Sequence, residues 1–224
     1  MTLLLGTISK TNIVITAEGL SPANPTTGAG IQSNNFQKIS PVPMLTLSMA
    51  HHGYNILNNQ PVGDFLRPFI GKSNANFRAL NIQDVATELL KFAEPAAQNI
   101  FGNPANKEVI GFWVTGFSTS KERPCPYEIC RPNKTRPTLH KPVVFAGCGR
   151  QFVDYHTEEF RTDKSKCGNV QQFSGEDAIS YHSELYEEAK TKQMQSGKTV
   201  FGGHRHQLVI EKDYWRWIQP PQDV

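Results

Sequence analysis

No stretch of about 18 apolar residues occurs in this chain, so no segment has the length and hydropathy of a membrane-crossing helix. Cysteine is scarce. Cys125, Cys130, Cys148 and Cys167 stand at irregular spacings that match no common zinc set, and four in 224 residues make no disulfide scaffold. A strong charge of one sign is also lacking. The formal net charge of +3 and pI near 8.6 fall short of the dense Lys/Arg face, interleaved with aromatics, that nucleic-acid binders carry. Neither nucleic acid nor membrane is therefore an expected partner. The apolar run Leu3 to Leu5 has no basic residue before it and no small-residue cleavage site behind it, so it does not read as a signal peptide. The expectation is a reduced, cytoplasmic protein.

What is present is ordinary globular material rich in turns: 38% hydrophobic residues, 17 Gly and 15 Pro. No internal repeat and no break in composition asks for a division, so residues 1–224 read as a single domain. Thr2 to Ile8 and Asn12 to Ala17 read as two strands joined by a polar turn. Paired residue numbers in such a hairpin have a constant sum, and a turn at Lys10 or Lys10-Thr11 places Thr2 opposite Glu18 or Gly19. The uncharged loop from Ser21 to Gly30 leads to Lys38 and a third strand, and Met44 to Ala50 alternates as a fourth, closed by His51, His52 and Gly53.

Pro61 suits the first turn of a helix with Val62, Phe65, Leu66 and Phe69 on one side. Asn81 is the cap of a second helix, whose apolar stripe runs up to Pro95. Glu108 to Phe117, Pro126 to Cys130 and Val143 onward are strand-like. The stretch from Lys121 to Lys141 holds six Lys or Arg and reads as a solvated loop between strands rather than a basic contact surface. Ser174 with Asp177 opens another helix, and HQLVIEK and YWRWIQ form a closing strand pair. Strands and helices come in groups rather than in alternation, which predicts an α+β fold: two antiparallel sheets between helical layers, a four-layer α/β/β/α sandwich.

The chemistry begins at Thr2. With Met1 removed, Thr2 would own both a hydroxyl and a free α-amine, and the amine can act as general base for the hydroxyl. At an unperturbed pKa near 7.7 to 8, about a sixth of that amine is free base at neutral pH. A cation about 4 Å away, at an effective dielectric constant near 20, adds up to about 4 kcal/mol of repulsion against the protonated form. Lys38 is the candidate for this cation and Glu18 for the group that holds it. Thr2, Glu18 and Lys38 thus form a candidate catalytic set.

The order TLLLGTISKTNIVITAEG, a loop, then FQKI resembles the catalytic β subunits of proteasomes and their bacterial relatives, which are amino-terminal-nucleophile hydrolases. Thr2, Gly6 and Lys38 match that family's positions, and Glu18 replaces its Asp. The resemblance implies a threonine-type peptidase or amidohydrolase that needs no cofactor, acts on a peptide or protein substrate, and assembles as a homo-oligomeric ring or arc. It leaves open an activating ATPase. It also puts Gly53, or His52 in a register one shorter, at the oxyanion donor and Cys148 near the position of a supporting serine. Thr199 and Gly202 stand where the family has a second Asp and Ser, and Ser196 could serve only in a shifted register. The alternative is a catalytically inactive assembly or binding subunit of the same fold; within the active class, an incoming amine in place of water would give amide transfer.

His51 and His52, with His204 and His206, are the histidines that could suggest a metal; His204 and His206 alternate as strand-borne ligands do, but no carboxylate or cysteine joins them at a recognised spacing, and no metal is expected. Trp113, Trp215 and Trp217 are assigned to packing.

Overall fold

A computed structural model describes residues 2–9, 11–21, 33–43, 45–77, 81–101, 110–118, 121–130, 134–137, 143–146, 148–153, 170 and 172–221. The architecture is α+β, with antiparallel sheets and three α-helices among these residues. None of these helices is long and apolar enough to cross a membrane.

The first hairpin follows from its sequence. Strands β1 (Leu4–Ile8) and β2 (Asn12–Glu18) pair with Leu4 opposite Ala17 and Ile8 opposite Ile13. Ser9 and Asn12 close the turn: the Asn12 N–H donates to Ser9 Oγ at 3.2 Å, and Ser9 Oγ–H donates to Asn12 Oδ1 at 2.9 Å. Continued past Leu4, this register aligns Thr2 with Gly19, the second of the two pairings that the turn allows. The pair lies inside a five-stranded sheet in the order β10-β1-β2-β11-β12, with β10 at Val143–Ala146, β11 at Arg205–Glu211 and β12 at Trp215–Gln219.

A second five-stranded sheet runs β3-β4-β7-β8-β9, from β3 (Ile39–Pro41) and β4 (Leu47–Gly53) through β7 (Ile110–Ser118) to β8 (Lys121–Cys130) and β9 (Lys134–Pro137). A two-stranded ribbon, β5 (Ile56–Leu57) with β6 (Gln60–Pro61), precedes helix α1 (Val62–Phe77). Helix α2 is Ile82–Phe101 and helix α3 is Gly175–Ser196. In α1 the stripe Val62, Phe65, Leu66 and Phe69 is buried, with Leu47 and Met49 of β4 in the same apolar cluster. Leu185 and Ala189 of α3 join Leu3 and Leu5 in another, and Leu4, Ile15, Ile39, Trp113 and Leu208 form a third between the two sheets. Each such side chain contributes about 1.5–3 kcal/mol by leaving water. Gly6 has a packing role here. A Cβ at Gly6 would stand 2.8 Å from the Trp113 ring, so the missing side chain lets the indole of one sheet lie on the backbone of the other.

Two expectations need correcting. Much of 121–141 is not loop: β8 and β9 occupy it as a hairpin. Two of its prolines, Pro124 and Pro126, lie within β8, opposite Phe117 and Thr115 of β7. Helix α2 also continues through Pro95 to Phe101, and buried Ala96 and Ala97 hold the turn beyond it in the core. The loop 22–32 lies outside the described residues. The two ends of that loop are tied, because Ser21 and Ser33 exchange backbone hydrogen bonds of 2.8 and 3.2 Å.

Candidate active site

Strand β2 ends on Glu18, and β3 begins one residue after Lys38, so the two sheets deliver these side chains to one place. Both are fully buried, and Lys38 Nζ donates to Glu18 Oε1. Taking two charges out of water costs several kcal/mol per ion unless the remaining valences are filled. Here the backbone helps fill them. Glu18 Oε2 accepts from the Leu20 N–H at 2.7 Å and from the Gly202 N–H at 3.1 Å, while Lys38 Nζ also donates to the Leu20 carbonyl at 2.8 Å. The segment after β2 is itself pinned: the Leu20 N–H donates to Gly202 O, the Phe36 N–H to Gly19 O, and the His204 N–H to Asn34 O.

Thr2 is buried, and its carbonyl accepts from the Gly149 N–H at 2.8 Å. This bond sets the 3₁₀ turn Cys148–Phe152 against Thr2. A Cβ at Gly149 would stand 2.8 Å from Leu3 Cβ, so only glycine allows so close an approach. Gly53 closes β4 with φ of 87°, a left-handed backbone that glycine adopts without strain. The neighbouring His52 is buried with its ring over Gly111.

Ser196 stands apart from this group. Its hydroxyl donates to the Gln193 carbonyl at 2.7 Å in the last turn of α3. Thr199 is exposed, and Gly202 approaches Glu18 through its backbone alone. The contributions of Leu20 and Gly202 are main-chain groups, which leave no residue-type signature in a sequence. His51 is a side chain that the sequence reading set at a strand end and weighed only as a metal ligand. It is fully buried, its N–H donates to the Lys38 carbonyl at 3.0 Å, and the edge of the Phe36 ring meets its imidazole.

Burial first, then Lys38 and His52, lowers the His51 pKa to about 3. Burial, His204 and Lys38 lower that of His206 to about 4. Both imidazoles are neutral near pH 7. A cleft of about 500 Å³ opens beside this segment, walled by Phe36, Gln37, Ser40, Pro61, Arg67 and Trp215. Among the described residues no group of three or more His, Cys, Asp or Glu is placed to hold a metal ion. No protein-family model and no curated protein matches this chain.

Proposed function

We propose that this chain is an amino-terminal threonine hydrolase of proteasome-like build, cleaving an amide bond through an acyl ester on Thr2. The observation that carries the reading is the fully buried Glu18–Lys38 pair, satisfied by Leu20 and Gly202. A buried ion pair is weak as a stabiliser, often no better than apolar residues of the same volume, so its presence favours a chemical role. The proposed four-layer α/β/β/α sandwich is supported by the three apolar clusters: one between the sheets, one joining α1 and α2 to β4 and β7, and one joining α3 to the start of the chain.

In the proposed reaction the residue before Thr2 is first removed. The Thr2 hydroxyl then attacks the amide carbon and gives its proton to the Thr2 amine. Negative charge gathers on the former carbonyl oxygen, where the Gly53 N–H is the assigned donor; one such donor supplies about 3–4 kcal/mol of transition-state stabilisation. The new ammonium protonates the leaving amine as the carbon–nitrogen bond breaks. Water, deprotonated by the same amine, attacks the ester and releases the acid. Glu18 holds Lys38, whose charge favours the neutral form of the Thr2 amine. The substrate is a peptide or protein, and the active form is a homo-oligomeric ring or arc.

A second reading, an inactive assembly subunit, is favoured by one observation: exposed Thr199 and side-chain-free Gly202 leave the family's second Asp and Ser without counterparts. Intact mass of the purified protein, peptide turnover and labelling by a threonine-directed electrophile separate the two. The hydrolase predicts a chain that starts at Thr2, labels there, and loses turnover in Thr2→Ala. A retained Met1, or turnover that survives Thr2→Ala, overturns it.

A further inference from the structure

We infer that His204 and His206 form a two-histidine site for a divalent transition-metal cation. The two alternate across the start of β11, and their ring centroids stand 5.4 Å apart at 50°. Two imidazoles bound to one tetrahedral metal, with metal–nitrogen bonds of about 2.0 Å, have centroids about 5 Å apart. The hydrogen bonds of the rings define their tautomers. His206 Nε2 faces Asn35 Oδ1 at 2.9 Å, and His204 Nε2 faces the Pro220 carbonyl at 3.1 Å. Both partners only accept, so each Nε2 carries the proton and each Nδ1 keeps its lone pair.

An imidazole whose second nitrogen donates to an oxygen is the usual arrangement of a metal-binding histidine, because the outer bond fixes the ring and raises the basicity of the ligating nitrogen. His206 Nδ1 is buried and has no hydrogen-bond partner among the described residues. Such an orphan costs free energy that a ligand would recover. The Lys38 charge opposes a cation, but it lies against the Glu18 carboxylate.

Imidazole nitrogen selects zinc, cobalt, nickel or copper over magnesium and calcium. With two protein ligands and water in the other positions, the ion is exchangeable, and it would tie β11 to the segments carrying Asn35 and Pro220. The site stands independently of the threonine chemistry.

Titration calorimetry on the untagged full chain with zinc, cobalt and magnesium tests it, alongside His204→Gln and His206→Gln. The wild type should bind one equivalent of zinc with a saturable isotherm, give tetrahedral cobalt absorption bands, and show no magnesium binding. His204 is only partly buried, so His204→Gln should melt as the wild type does and lose zinc affinity about tenfold or more. Zinc affinity unchanged in a folded His204→Gln, or no saturable zinc binding in the wild type, overturns the inference. If His206→Gln does not fold, the His204→Gln arm decides alone.

Discussion

Lys38 and Glu18 lie twenty residues apart in sequence, at the ends of different sheets, and meet as a fully buried ion pair. Removing one partner leaves the other charged, buried and unmatched. Lys38→Met should cost about 3–5 kcal/mol of folding free energy in urea melts. Adding Glu18→Gln to Lys38→Met should restore much of that stability, because Gln can still accept from the Leu20 and Gly202 amides. It should not restore peptide turnover. A double variant as active as the wild type would separate the pair from the chemistry altogether.

The two sheets meet at Gly6 and Trp113. An alanine methyl at Gly6 would sit 2.8 Å from ring carbon Cζ3 of a buried indole, and overpacking of this kind costs about 1–3 kcal/mol. Cζ3 belongs to the part of the indole that a phenyl ring lacks. Gly6→Ala should therefore destabilise the wild type more than it destabilises Trp113→Phe, a difference that a double-mutant cycle of thermal melts measures.

Which features could be read in advance depends on where their cause resides. The Ser174–Asp177 capping box was legible because both halves are side chains at a fixed spacing: Ser174 Oγ accepts from the Asp177 N–H and Asp177 Oδ2 from the Ser174 N–H. Asn81 caps α2 in the same way, its Oδ1 accepting from the Asp84 N–H at 3.0 Å. The placing of Thr2 against Gly19 was legible because hairpin register is arithmetic. Of the β8 and β9 hairpin, Pro126 to Cys130 was legible as a strand, and it pairs with β7 as expected; the start of β8 and all of β9 were hidden, since proline is penalised as though every strand were central. The groups that satisfy the ion pair were hidden for a different reason: Leu20 and Gly202 act through peptide atoms common to every residue. The tautomers of His204 and His206 likewise depend on acceptors from Pro220 and Asn35, which only the folded chain brings near.

Helix α3 ends in a left-handed cap at Gly197, with φ of 66°, and its N–H donates to the Met194 carbonyl. A Cβ there would meet nothing within 4 Å. Gly197→Ala therefore isolates backbone strain from packing, and should cost about 1–2 kcal/mol in chemical denaturation. Gly197→Asn should cost less, because asparagine tolerates this conformation better. Equal losses for Ala and Asn would point to a cause other than the positive φ.

Folding stability should also depend on acid through buried neutral histidine. His182 of α3 is fully buried and hydrogen-bonded to Thr16 Oγ1 through Nδ1 at 2.8 Å and to Thr7 Oγ1 through Nε2 at 2.5 Å, so one ring clamps the helix to β1 and β2. Burial, with Arg205 adding to it, lowers the His182 pKa to about 3 from an ordinary 6.5. The sign follows from proton counting. Above pH ~6.5 neither state binds the proton and the clamp contributes in full. Between about 6.5 and 3 the unfolded chain takes up a proton that the folded chain refuses. Each such histidine then removes up to about 1.4 kcal/mol of stability per pH unit of acidification, and His51 behaves the same way. Urea midpoints should fall steadily from pH 7 towards pH 4. In His182→Gln, which keeps a donor and an acceptor between the two threonines but cannot titrate, the fall should be shallower. A slope unchanged by that substitution would assign the acid sensitivity to groups other than His182.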